Sequence, residues 1–373
     1  MKVMTVFGTR PEIIKLSRVM AVLDECVTHI TVHTGQNYDY ELNEVFFNEL
    51  SIRKPDHFLN AAGETPAQTV GNVLIRADEV LAQHQPDALL VLGDTNSCLA
   101  VYPAKRRRIP IFHMEAGNRC FDYRVPEEIN RRIVDHVSDI NLVYSEQARQ
   151  HLLREGLPPD QVIKTGSPQS EILRHHAAAI DASSILSRLH VQRGKYFVVS
   201  IHREENVDDD VCLRRLVESL AAISDKYGFP LILSCHPRTR RRLDASKLVL
   251  HEQVRAAPPF GFFDYVHLQK HAYCTISDSG TITEESSILG FPAVTVREAH
   301  ERPEGMDEST VIMAGLDCTR ILESIDVAVK QIERFGASRV VSDYDVPQVS
   351  WKVVKIILSY TDYVNRRVWR KNL

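Results

Sequence analysis

The 373-residue sequence has no C-x-x-C pair, no G-x-G-x-x-G, no P-loop lysine motif, no long apolar run and little net charge. Each absence excludes a class. No apolar stretch approaches the roughly 18 residues that a membrane span needs, so no membrane partner is expected. A net charge of −4 supplies no global field for a polyanion, which argues against nucleic acid. Without a glycine-rich dinucleotide fingerprint, a tightly bound redox dinucleotide is disfavoured. The cysteines, Cys26, Cys98, Cys120, Cys212, Cys235, Cys274 and Cys318, are odd in number and scattered, which speaks against a disulfide framework. They read as reduced and mostly buried. No histidine has a third ligand at metal-like spacing, so no metal site is expected. The start, Met1 to Gly8, is a short apolar stretch broken by a turn residue with no cleavage-site pattern after it. It reads as a buried first strand, and the expected location is the cytoplasm.

What is present is βα alternation. Short runs at Val3 to Phe7, Ile30 to His33, Ala88 to Leu92, Ile111 to Met114, Ile140 to Tyr144 and Val162 to Thr165 alternate with helical patterns. A second series follows at Tyr196 to Ile201, Leu231 to Ser234, Cys274 to Ser277, Ala293 to Val296 and Thr310 to Met313. Runs apolar on both faces, such as Ala88-Leu89-Leu90-Val91-Leu92, suit a parallel sheet covered by helices on both sides. The length also exceeds what one hydrophobic core usually supports. The expectation is an α/β chain of two domains, residues 1–167 and 168–349, with a C-terminal amphipathic helix at 350–373 that carries Trp351 and Trp369.

Ligands of doubly wound sheets sit beyond the carboxyl ends of the strands. There the first run leads into Gly8-Thr9-Arg10-Pro11-Glu12 with Lys15 one turn on, which reads equally as an anion site at a helix start and as an ordinary capped helix. The third run ends in Gly93-Asp94-Thr95-Asn96, the fourth in Met114-Glu115-Ala116-Gly117-Asn118-Arg119, and Pro126-Glu127-Glu128-Ile129-Asn130-Arg131 follows. Asp94 alone could be a helix cap. Three acid-bearing segments on one edge point to acid–base work.

The second series repeats the pattern. Its strands end in Ile201-His202-Arg203-Glu204-Glu205-Asn206 and Cys235-His236-Pro237, two histidines at equivalent strand ends. Asp278-Ser279-Gly280-Thr281 is a small-residue turn into a helix, where backbone N–H groups can approach phosphate closely. Glu285 could accept both hydroxyls of a ribose. Arg302, in Glu301-Arg302-Pro303-Glu304, could clamp a diphosphate or form a surface ion pair.

Together, G-T-R-P-E, G-D-T, E-A-G-x-R, P-E-E-x-N-R, H-R-x-E-N, D-S-G-x-x-x-E and E-R-P-E occur in order over residues 8 to 304. The set resembles the non-hydrolysing UDP-N-acetylglucosamine 2-epimerase family. That resemblance implies a GT-B architecture, two Rossmann-like domains whose parallel sheets face a central cleft, with the last helix returning to the first domain. It implies inversion at C2 of a UDP-2-acetamido sugar by elimination of UDP and re-addition, with no cofactor or metal. By residue matching, Asp94, Glu115, Glu128 and His202 would be catalytic. Arg10, Lys15, His236, Tyr265, Ser279, Gly280, Thr281, Glu285 and Arg302 would bind the UDP-sugar. A homodimer is likewise implied.

The chain departs from that pattern in two places. Thr34-Gly35-Gln36-Asn37 replaces T-G-Q-H, and His202-Arg203-Glu204-Glu205-Asn206 replaces H-R-R-E-N, so that Glu204 reverses a charge near the sugar. Asn37 to Glu44 and Arg302 to Glu308 look like the branch that converts UDP-2-acetamido-2,6-dideoxy-β-L-talose to UDP-N-acetyl-β-L-fucosamine for capsule or O-antigen synthesis. That branch is the favoured expectation. The alternatives are a UDP-N-acetylglucosamine 2-epimerase forming UDP-N-acetylmannosamine and, more distantly, a GT-B glycosyltransferase.

Overall fold

The computed structural model describes residues 1–35 and 40–371, with the backbone alone for 40–43. Gln36, Asn37, Tyr38 and Asp39, on which part of the branch reading rests, lie outside the described residues, as do the side chains of Tyr40 to Asn43. The chain divides into two compact units, Met1–His175 with Ser342–Leu373, and His176–Val341. Both boundaries fall eight residues away from the expected ones, and local packing explains why. The helix Gln169–His175 packs on the helix Arg10–Cys26, and Ser167 N–H donates to Asp343 O at 3.0 Å, which ties residues before and after the second unit to the first.

The first unit is built on a seven-stranded parallel sheet in the order β3-β2-β1-β4-β5-β6-β7. Its strands are β1 (Lys2–Phe7), β2 (Thr28–His33), β3 (His57–Phe58), β4 (Ala88–Leu92), β5 (Ile111–Ala116), β6 (Ile140–Val143) and β7 (Val162–Lys164). The second unit has six, β8 (Phe197–Ser200), β9 (Leu231–Ser234), β10 (Val254–Ala257), β11 (Cys274–Ser277), β12 (Ala293–Thr295) and β13 (Ile312–Met313), ordered β10-β9-β8-β11-β12-β13. Every strand pair is parallel among the described residues. All five residues of β4 are buried, as a sheet covered on both faces requires. Each sheet is thus Rossmann-like, and the α/β class with two such sheets matches the expectation.

Two strands have no sequence signal. β3 is a two-residue edge strand, and β10, Val-Arg-Ala-Ala, is an edge strand without an apolar run. The C-terminal helix, Val349–Arg367, packs on Arg10–Cys26 inside the first unit, and Ser350 N–H donates to Glu171 at 2.9 Å. It ends before Trp369, which meets Lys105 by a cation–π contact. No helix among the described residues is long and apolar enough to cross a membrane.

Candidate active site

In each sheet the order reverses between neighbouring strands whose following loops diverge, which opens a crevice at the carboxyl ends. In the first unit that point lies between β1 and β4, and in the second between β8 and β11. The loops that carry the expected site residues leave from these strands and their neighbours, except that Tyr265 lies on the helix after β10.

Gly8 ends β1 under strong steric constraint: a Cβ there would stand 1.9 Å from Thr34 Oγ1 and 2.5 Å from Ser97 Oγ. The next helix starts with a capping box, in which Glu12 Oε2 accepts from Thr9 N–H at 2.7 Å and also from Gly8 N–H at 3.0 Å. Burial pushes the Glu12 carboxyl up to about 7 against the pull of these hydrogen bonds. Arg10 lies over the Phe46 ring, 5.6 Å from its centroid.

Lys15, buried one turn further, donates from Nζ to Glu115 Oε2 at 2.7 Å. Glu115 sits where the β5–β6 register shifts between Met114 and Ala116, and its φ is +62°. A bulge re-aims a side chain, and a left-handed non-glycine backbone stores strain that its surroundings must hold. Asp94, just after β4, meets Arg131 Nη2 at 2.7 Å. Arg131 also reaches Glu128 Oε2 at 3.2 Å. Glu128 itself is fully buried and accepts from Arg132 at 2.9 Å and from Cys120 N–H at 3.1 Å. The three expected acids therefore differ. Asp94 and Glu115 are partly exposed, Asp94 against Arg131 and Glu115 against Lys15, whereas Glu128 is fully buried against Arg131 and Arg132.

In the second unit the β8 and β9 ends bring His202 and His236 together, with ring centroids 5.6 Å apart. Asp278, fully buried after β11, accepts from His202 N–H at 3.0 Å, Arg203 N–H at 2.9 Å and Asn206 Nδ2 at 3.1 Å. Ser279 Oγ pairs with Thr281 Oγ1 at 3.0 Å at the start of the helix Thr281–Leu289. Arg302 is buried beneath that turn, donating from Nε to Gly280 O at 2.9 Å and meeting Glu284 at 3.2 Å. Glu285 accepts from Gln269 at 2.8 Å. Tyr265 lies one turn before Gln269 on the helix Phe262–His271, which brings it to the same side. Glu204, the reversed charge, meets Arg238 at 2.5 Å, so the departure from H-R-R-E-N carries its own counter-ion.

Sequence reasoning assigned no role to Arg131, Asp135, His113 or Asp278. A signal for the first two was present. On the helix Pro126–Val137 the buried face holds Glu128, Arg131, Val134 and Asp135, while Ile129 and Ile133 are 48% and 44% exposed. Charged residues at i, i+3 and i+7 with apolar residues outside invert the usual amphipathic pattern.

Comparison with known proteins gives the context for this geometry. Residues 22–358 match the family described as UDP-N-acetylglucosamine 2-epimerase. The structure of a UDP-N-acetylglucosamine 2-epimerase from Rickettsia bellii is similar with a TM-score of 0.92 and 49% identity, covering 100% of both chains. A Methanocaldococcus jannaschii UDP-GlcNAc 2-epimerase in complex with UDP-GlcNAc and UDP is similar with a TM-score of 0.90 and 30% identity, over 96% of this chain and 100% of that one. A UDP-2,3-diacetamido-2,3-dideoxy-D-glucuronate 2-epimerase of Pseudomonas aeruginosa is 34% identical over 87% of this chain and 91% of its own. With a family match over most of its length and relatives matched nearly end to end, the chain belongs to the UDP-N-acetylglucosamine 2-epimerase family, and it is an isomerase acting on a UDP-sugar.

Proposed function

We propose that the chain inverts C2 of a UDP-2-acetamido sugar without net hydrolysis. A base removes the C2 proton while the C1–O bond breaks, its electron pair leaving on the UDP β-phosphate. The C2–H electrons form the C1=C2 bond of a 2-acetamidoglycal. UDP then re-adds at C1 as a proton reaches the opposite face of C2. C2–H has no adjacent carbonyl to acidify it, so the site must stabilise both the leaving diphosphate and the proton transfer. The observation that carries the proposal is the pair of partly exposed carboxylates at strand ends, Glu115 on Lys15 and Asp94 on Arg131. In this reading they serve C2, with Glu128 acting through Arg131. His202 and the Ser279-Gly280-Thr281 turn receive the diphosphate over Arg302, Arg10 adds a cation, and His236, Tyr265 and Glu285 take the nucleoside.

Two substrates have support. The Arg302-to-Glu308 segment favours UDP-2-acetamido-2,6-dideoxy-β-L-talose, giving UDP-N-acetyl-β-L-fucosamine for capsule or O-antigen synthesis in the cytoplasm. The UDP-GlcNAc held by the M. jannaschii relative favours UDP-N-acetylglucosamine as strongly. Incubation of each in deuterated water, followed by NMR, separates them. Deuterium at C2 with UDP retained is expected for the true substrate, and irreversible release of free sugar from both would overturn the proposal.

The protein is further proposed to be a homodimer through its first unit. Ile75, Tyr102, Ile129 and Ile133 are exposed on the helices Pro66–His84, Val101–Arg106 and Pro126–Val137, which pack in succession. Sedimentation should show a dimer that Ile129→Glu weakens. A wild-type monomer at micromolar concentration would exclude it.

A further inference from the structure

We propose that His113 and Asp135 are positioning residues that hold Asp94 and Glu115 in their reactive places. The proposal rests on those two carboxylates serving C2 as above. Both side chains are fully buried, and the mechanism makes no direct use of either. His113, on β5 two residues before Glu115, contacts the carbonyl of Gly93 through Nε2 at 2.7 Å. Gly93 is the residue before Asp94, and a carbonyl can only accept, so Nε2 carries a proton and donates to it. The other ring nitrogen lies 2.9 Å from Asp135 Oδ1.

Asp135 in turn accepts from Gly117 N–H, two residues after Glu115, at 3.2 Å, and from Arg119 Nη1 at 2.7 Å. It projects from the same buried helix face as Arg131, the partner of Asp94, and Glu128. Burial alone would raise the Asp135 carboxyl, but His113 and Arg119 outweigh it and hold it below the usual range.

The chain is therefore pinned on both sides of Glu115, at His113 and Gly117, and to the residue before Asp94. Asn118, between Gly117 and Arg119, donates to Glu115 Oε1 at 3.3 Å. Glu115 needs such pinning because its φ of +62° is disfavoured for a residue with a Cβ and persists only where the surroundings over-determine it. A small shift at either end would misplace a carboxylate, and misplacement by about 1 Å can cost about 10²-fold in rate.

The test compares His113→Leu, His113→Gln and Asp135→Asn, alone and in the Glu115→Gln background. The substrate is whichever of UDP-N-acetylglucosamine and UDP-2-acetamido-2,6-dideoxy-L-talose the wild type epimerises, and UDP binding counts the folded protein. His113→Leu should lower kcat about 100-fold with KM and the UDP Kd within twofold. His113→Gln, whose amide can still donate to Gly93 O, should recover at least about tenfold of that loss. In the Glu115→Gln background His113→Leu should add less than about threefold, because residues acting as one unit are not additive. Near-normal kcat in His113→Leu and Asp135→Asn, a loss that sits in KM, or fully multiplicative losses would overturn the positioning role. Should His113→Leu not fold, Asp135→Asn, expected to lower kcat in the same way, carries the comparison. If Asp94→Asn and Glu115→Gln themselves turn over normally, the fault lies with the assignment of the carboxylates. If they are inactive and the His113 and Asp135 variants are not, only the positioning proposal fails.

Discussion

Lys15 and Glu115 meet at 2.7 Å across the first sheet's carboxyl edge, one from the helix that follows β1 and the other from the bulge that ends β5. Lys15 is 3% exposed and Glu115 12%, so the cation is fixed while part of the carboxylate still reaches solvent. Glu115→Gln should lower kcat by about 10²- to 10⁴-fold, the usual range for loss of a general acid or base. Lys15→Met should lower it at least about 10²-fold. The UDP Kd should stay within about threefold in both, and steady-state kinetics with calorimetry on UDP would check this.

Asp278 links the β8 and β11 ends by accepting from His202, Arg203 and Asn206. Asp278→Ala leaves three donors near the sheet edge without their acceptor, at about 1–3 kcal/mol for each that water does not reach. UDP affinity should fall at least about tenfold, measured by calorimetry, and the urea midpoint should drop. Unchanged UDP binding would mean that the His202 loop takes no part in holding the nucleotide.

Glu12 makes stability depend on pH in the direction opposite to a salt-bridged acid. Its folded value, pushed up by burial from 4.5 to about 7, lies above the unfolded one, so between these values the native state holds the extra proton. The group therefore lowers stability as pH rises from about 4.5 to 7, by about 3 kcal/mol in full. Glu12→Gln should leave the melting temperature near wild type at pH 5 and raise it above wild type at pH 8. Equal shifts at both pH values would show that Glu12 is ionised in the native state throughout.

Gly117 and Gly93 have similar positive φ, +81° and +78°, but different neighbours. A Cβ on Gly117 would stand 2.4 Å from Ala148 O, whereas nothing lies within 4 Å of one on Gly93. Gly93→Ala should destabilise by about 1 kcal/mol. Gly117→Ala should cost at least about 2 kcal/mol, since backbone must also move, and should reduce kcat because Gly117 N–H donates to Asp135. Urea unfolding of the two variants, with kcat beside it, reads this difference.

Much of the fold was legible because parallel strands covered on both faces must be apolar throughout, as Ala88 to Leu92 and Phe197 to Val199 are. The short edge strands β3 and β10 were not, because edge pairing is decided by the neighbouring strand rather than by local composition. The candidate acids and histidines could be named because they sit within a few residues of readable strand ends. Their roles could not be separated there: Asp94, Glu115 and Glu128 look alike in sequence, and only burial and pairing set Glu128 apart.

From the sequence alone come the α/β class, two sheets, the family resemblance and the segments that bear the chemistry, since each of these is written in local pattern and spacing. Tertiary structure alone decided that Lys15 faces Glu115 across 100 residues and that Arg131 joins Asp94 to Glu128. It likewise set Asp135 against His113 and Gly117. Those contacts depend on strand order and helix rotation, which follow from the packing of the whole sheet and leave no mark at any single position.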